Sequence, residues 1–218
     1  FHSRETGRGP PATDLGEESY DKALQDVWGS APDDVFAVGQ QGLIVHFDGE
    51  KWSPMQSGIF TDLSAVWGTP SNDVFAAGDN GVILHHDGDA WSRMESGTSS
   101  KLNALWGSSA TDVYSVGGSE TEQGHVILHY DGSQWTSVKE GGPFHLLGVW
   151  GNSSADVYAV GAHRKSDDSV QGAILHYDGN EWRDVPTRAR QFLWSVWTGA
   201  PGDYFVVGPD DTAIHVTP

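Results

Sequence analysis

The chain is built from short runs that are apolar at nearly every position, such as DVFAVG at 34–39 and GVILH at 81–85, broken by clusters of Gly, Asp, Ser and Pro. A brief apolar run between turn signals predicts a strand, and the lack of polar alternation predicts one covered on both faces. The Asp-Gly pairs at 48/49, 87/88, 131/132 and 178/179 offer the positive φ angles that a tight hairpin needs. The predicted elements are short and all β.

The pattern repeats. LQDVWGSAPDDVFAVG (24–39), LSAVWGTPSNDVFAAG (63–78), LNALWGSSATDVYSVG (102–117), LLGVWGNSSADVYAVG (146–161) and LWSVWTGAPGDYFVVG (193–208) align without a gap. Each but the fifth continues into LIVHFDGEKW, VILHHDGDAW, VILHYDGSQW or AILHYDGNEW. The tryptophans of the first block, Trp28, Trp67, Trp106, Trp150 and Trp197, are spaced 39, 39, 44 and 47 residues apart, the length of a four-stranded propeller blade. The sequence therefore predicts an all-β propeller of five blades, each of four antiparallel strands, with repeats starting near 24, 63, 102, 146 and 193. The fifth repeat lacks its fourth strand, and residues from about 13 to 20 are expected to supply it and close the ring. On that reading 13–218 is a single propeller domain behind a flexible segment, 1–12; the alternative is an arc of a larger propeller.

The motif H-x-D-G-x-x-W, at His46, Asp48, Gly49 and Trp52 and again from His85, His129 and His176, resembles the Asp-box turn of BNR and sialidase-type propellers. The whole unit is similar to repeats in secreted proteins of myxobacteria and related bacteria. The resemblance implies a bacterial protein that is secreted, or held at the cell surface or in the periplasm. Such propellers include lectins, assembly factors and hydrolases, so it carries the fold further than the function.

Composition narrows the partners. A net charge of −18 repels nucleic acid and anionic membrane surfaces, and no stretch is long and apolar enough to insert in a bilayer. Cysteine is absent, which removes disulfides, thiolate metal sites and cysteine nucleophiles. A monomer with a glycan or protein partner is expected. No cofactor motif is present, and the surplus of Asp leaves Ca²⁺ open without any EF-hand-like loop.

Residues that recur in every repeat are most simply structural. The five block-one tryptophans are expected to pack between blades, a sugar-stacking ring being the other reading. His46, His85, His129 and His176 are too far apart to share one metal ion and are expected as hydrogen-bonded histidines between blades. Asp34, Asp73, Asp112, Asp156 and Asp203, each opening a second strand, are expected to accept turn N–H bonds, and Asp48, Asp87, Asp131 and Asp178 to shape the hairpins.

Function is sought where the repeat breaks. The connection from second to third strand is minimal in the first two repeats (GQQG, GDNG) but long in the third and fourth (GGSETEQG, GAHRKSDDSVQG). It shares a face with the connections between blades. There the fourth repeat carries His163, Arg164, Lys165, Asp167 and Asp168, and the segment before the fifth carries Arg188, Arg190 and Trp194. These are the candidate ligand-binding residues, through forked hydrogen bonds and ring stacking. Gln25, Asp26, Ser64, Asn103 and Ser195 are candidates for the mouth of a central channel. No G-x-S-x-G, H-E-x-x-H or P-loop is present, and Arg93 and Arg183 fall on outer strands rather than beside the channel. The leading expectation is a noncatalytic, lectin-like recognition module; the alternatives are a protein-interaction scaffold and a glycoside hydrolase or lyase.

Overall fold

The computed structural model describes residues 22–70, 73–119, 124–142, 144–165 and 167–217. It is a β-propeller array of five antiparallel sheets in chain order. The first sheet holds β1 (Leu24–Ala31), β2 (Asp34–Gly39), β3 (Ile44–Phe47) and β4 (Trp52–Met55), and the second β5 (Leu63–Gly68), β6 (Val74–Gly78), β7 (Ile83–His86) and β8 (Trp91–Met94). The third holds β9 (Leu102–Ser109), β10 (Asp112–Ser119), β11 (Gly124–Tyr130) and β12 (Trp135–Gly141). β13 (Phe144–Ser153), β14 (Asp156–Arg164), β15 (Val170–Tyr177) and β16 (Trp182–Asp184) make the fourth. The fifth has three strands, β17 (Ser195–Ala200), β18 (Asp203–Val207) and β19 (Ala213–Val216). The segments expected to be flexible (1–12) or to complete the fifth blade (13–20) lie outside the described residues.

Each sheet packs face to face on the next, and a separate apolar cluster fills each junction. Phe36 and Val38 of β2 meet Leu63, Val66 and Leu84 of the second sheet, while Phe75 and Ile83 turn the other way to meet Leu105 and Leu128 of the third. This two-sided burial is why β6 is buried along its whole length. The fifth sheet departs from it: along β18, Tyr204 and Val206 are buried against the fourth sheet, whereas Phe205 and Val207 are exposed.

One device recurs inside every sheet. The histidine of the third strand gives its Nε2 proton to the aspartate opening the second strand: His46 to Asp34 at 2.7 Å, His85 to Asp73 at 2.9 Å, His129 to Asp112 at 2.6 Å, His176 to Asp156 at 2.7 Å and His215 to Asp203 at 2.7 Å. A carboxylate only accepts, so the ring must donate. The same imidazole lies over the aromatic ring two residues past the aspartate, with centroids 4.1 Å apart for His215 and Phe205 and 4.6 Å apart for His85 and Phe75. The histidines thus bond within a sheet, not between blades, and the aspartates accept imidazole protons where turn N–H bonds were expected. The cause is register: Phe36 pairs with His46 across β2 and β3, which sets the histidine directly beside the strand that Asp34 opens. Serine adds to the same carboxylates, Ser30 on Asp34 and Ser108 on Asp112.

The Asp-Gly hairpins form as local chemistry demands. Gly49, Gly88, Gly132 and Gly179 take φ of 89° to 100°, and each preceding aspartate accepts the N–H groups two and three residues on, as Asp131 does from Ser133 and Gln134. With the Ser133 hydroxyl added, the Asp131 carboxyl is held down at about 2.

Candidate functional site

The connections from second to third strand and those between sheets do meet on one face. In the first sheet Gln41 donates its N–H to Asp62, and a side chain at Gly42 would strike the Ile59 carbonyl. On the fourth sheet this face is enlarged. What the sequence marks as a long loop there is mostly strand: β14 and β15 pair out to His163 with Gln171 and Arg164 with Val170, and Lys165 N–H bonds to the Ser169 carbonyl just beyond. Asp167 accepts from the Ser169 N–H and hydroxyl, and Asp168 donates its N–H to the Lys165 carbonyl with φ of 62°. Both aspartates are therefore engaged in closing the turn.

Beside this hairpin runs the connection to the fifth sheet, in extended form. Val185 N–H bonds to the Ile174 carbonyl, and the Ala189 carbonyl receives the Gly172 N–H. A side chain at Gly172 would sit 2.8 Å from Ala189 Cβ, so the glycine permits the close approach. Extended backbone alternates its side chains. Val185 and Ala189 point into the apolar cluster between the fourth and fifth sheets, and Arg188 and Arg190 are exposed.

The result is a notch of about 460 Å³ lined by Lys165, Ser169, Val170, Gln171, Thr187, Arg188, Ala189 and Arg190. Among the described residues its lining holds three cationic side chains, no carboxylate and no aromatic ring. Arg188 and Arg190 form no ion pair among the described residues. A second hollow of about 290 Å³ adjoins it, floored by Ala173 and Ile174 and bordered by Phe144, His163 and Pro186. A groove on the far side carries Arg188 together with Asp210 and Asp211.

Of the candidate ligand-binding residues, the structure brings Arg188, Arg190 and Lys165 to one notch and His163 to the hollow next to it. Trp194 stands apart. It precedes β17 on the innermost edge, bonds its N–H to the Val207 carbonyl and is 53% exposed. The channel-mouth candidates divide as well. Asp26 Oδ2 accepts the Val66 N–H of the next sheet at 2.9 Å, and Asn103 Nδ2 donates to the Leu146 carbonyl of the next sheet at 2.8 Å, so both stitch neighbouring blades. Burial raises the Asp26 carboxyl against the pull of the Val66 and Val27 N–H groups. Among the described residues no three His, Asp or Glu side chains converge to hold a metal ion. Gln171 and Thr187, which also line the notch, carry no repeat-breaking signal beyond their place in the two long segments.

The sequence matches no known protein family, and no curated protein matches it. Solved structures do. YCF48 from Cyanidioschyzon merolae superposes with a TM-score of 0.62 at 16% identity, covering 92% of this chain and 69% of that one. An ancestral GH74 enzyme gives 0.59 at 15% identity over 84% of this chain and 28% of that one. A YCF48 bound to a D1 peptide gives 0.49 at 10% identity over 90% and 92%. At these identities the likeness establishes the propeller architecture.

Proposed function

We propose that this protein is a noncatalytic recognition module that binds an acidic segment of a protein partner in the Lys165, Arg188 and Arg190 notch. The observation that carries the reading is the lining itself: three cations with no carboxylate among them, on a molecule of net charge −18. A local positive notch in a negative field favours a short segment bearing one or two carboxylates and disfavours a polyanion. Two exposed guanidinium groups on alternate positions of one segment offer forked donors to such carboxylates, and the adjoining hollow, floored by Ala173 and Ile174 with Asp184 on its border, would take a neighbouring uncharged side chain.

Trp194 supports a second reading. It is a half-exposed indole on the innermost edge, next to exposed Ser195, and a sugar face could stack on it. The two readings separate cleanly by experiment. Fluorescence polarisation with labelled Asp- and Glu-rich peptides should detect binding that weakens with added salt and falls at least tenfold in Arg188→Ala, Arg190→Ala, while Trp194→Ala leaves it unchanged. Glycan-array binding lost in Trp194→Ala, with no peptide binding at all, would replace the protein-partner reading by the lectin one.

A further inference from the structure

Every junction in the array is made of the same two parts. One sheet offers the tryptophan of its innermost strand, and the next offers the small residue that follows its own tryptophan. A Cβ placed on Gly68, Gly107 or Gly151 would lie 2.5 to 3.0 Å from the ring of Trp28, Trp67 or Trp106, so the indole covers the glycine. At the fourth junction Trp150 Nε1 donates to the Thr198 carbonyl at 3.3 Å. The residue before each receiving tryptophan, Val66, Leu105, Val149 or Val196, faces the preceding sheet and is at most 9% exposed.

Among the described residues, the first and fifth sheets each hold one part without its counterpart. Trp197 is 51% exposed, with Phe205 and Val207 exposed beside it at 40% and 46%. On the first sheet Val27 is 62% exposed, and the atoms nearest a Cβ on Gly29 belong to Val35, Asp34 and Ala31 rather than to any indole. Exposed apolar faces of this kind mark interaction surfaces. The two faces are complementary to each other and not to themselves, which is the condition for heterologous, head-to-tail association.

We propose that this chain binds a second copy of itself head to tail, with Trp197 of one copy seated over Gly29 and against Val27 of the next. The new junction continues the four already present, using the same strand, the same indole and the same receiving position. Sedimentation velocity on the whole chain across a range of concentrations tests it, with Val27→Asp, Trp197→Asp and an equimolar mixture of the two; circular dichroism verifies that each is folded. The unaltered chain should associate as concentration rises, and each variant alone should stay monomeric. The mixture should form one-to-one dimers and nothing larger, because one variant keeps a working indole face and the other a working receiving face. A wild-type monomer at every concentration, or association indifferent to both substitutions, would overturn the proposal. So would a Val27→Cys, Trp197→Cys variant that forms its disulfide within a monomer, since the chain would then close on itself.

Discussion

Trp182 shows how one missing atom type is felt. In the second sheet Trp91 Nε1 donates to Met55 Sδ at 3.5 Å, and in the third Trp135 Nε1 donates to Met94 Sδ at 3.4 Å, which uses both methionines of the chain. The corresponding residue before the fourth sheet is Val138. Trp182 Nε1 is buried without a hydrogen-bond partner among the described residues, beside a hollow of about 340 Å³ lined by both residues. Val138→Met should therefore stabilise the protein by about 0.5 to 1 kcal/mol in urea unfolding; a loss of stability would show that the hollow cannot receive the thioether. His125 gives a pH dependence. It is 3% exposed, neither ring nitrogen has a described hydrogen-bond partner, and burial pulls it down to about 4 from 6.5. Between those values the unfolded chain holds a proton that the folded chain refuses, so stability falls as pH drops through the window, by up to about 1.4 kcal/mol per unit, and levels off below it. His125→Phe should flatten that slope when unfolding is compared at pH 7, 5.5 and 4.5; parallel slopes would contradict it. Neither role is legible in the sequence, because Val138 and His125 differ from their repeat positions in ways that only packing converts into a consequence.

At the scale of the element, the repeat marks where strands lie, but not which face each histidine uses. The spacing of Asp34 and His46 is repeated faithfully enough to announce a shared task, and only the strand register turns it into a bond inside one sheet. The worth of that bond should depend on cover. Asp156 is 8% exposed and also accepts from Asn152 Nδ2 at 2.8 Å, so Asp156→Ala strands two donors and should cost about 1 to 3 kcal/mol. His215 and Asp203 are 46% and 40% exposed, and Asp203→Ala should cost less than about 1 kcal/mol. Equal losses in chemical denaturation would mean that burial does not set the strength of the clasp. The fourth-sheet hairpin departs from the loop its sequence predicts for a related reason. Its polar residues signal a loop, yet a strand pair that stands clear of the neighbouring blades has no need of apolar side chains, and β14 and β15 stay paired to Arg164 and Val170.

At the scale of the whole molecule, the fold was legible because five aligned tryptophan blocks leave few architectures open, whereas the site was legible only in part. The two long segments of the fourth repeat point to the right face, but the inward turn of Val185 and Ala189, which sets Arg188 and Arg190 together, and the separation of Trp194 from them depend on how the connection lies against β15. Since the apolar clusters each join one sheet to the next, stability should behave as a sum of local terms. The covering of Gly68, Gly107 and Gly151 by the preceding Trp also gives the array a polarity, with the second and third repeats each receiving an indole on one side and donating one on the other. Any number of repeats can be removed or inserted in phase and the donor of one still meets the receiver of the next. A gene encoding such a chain is free to lengthen or shorten by unequal recombination in steps of whole blades, and selection on repeat number can proceed without first rebuilding an interface.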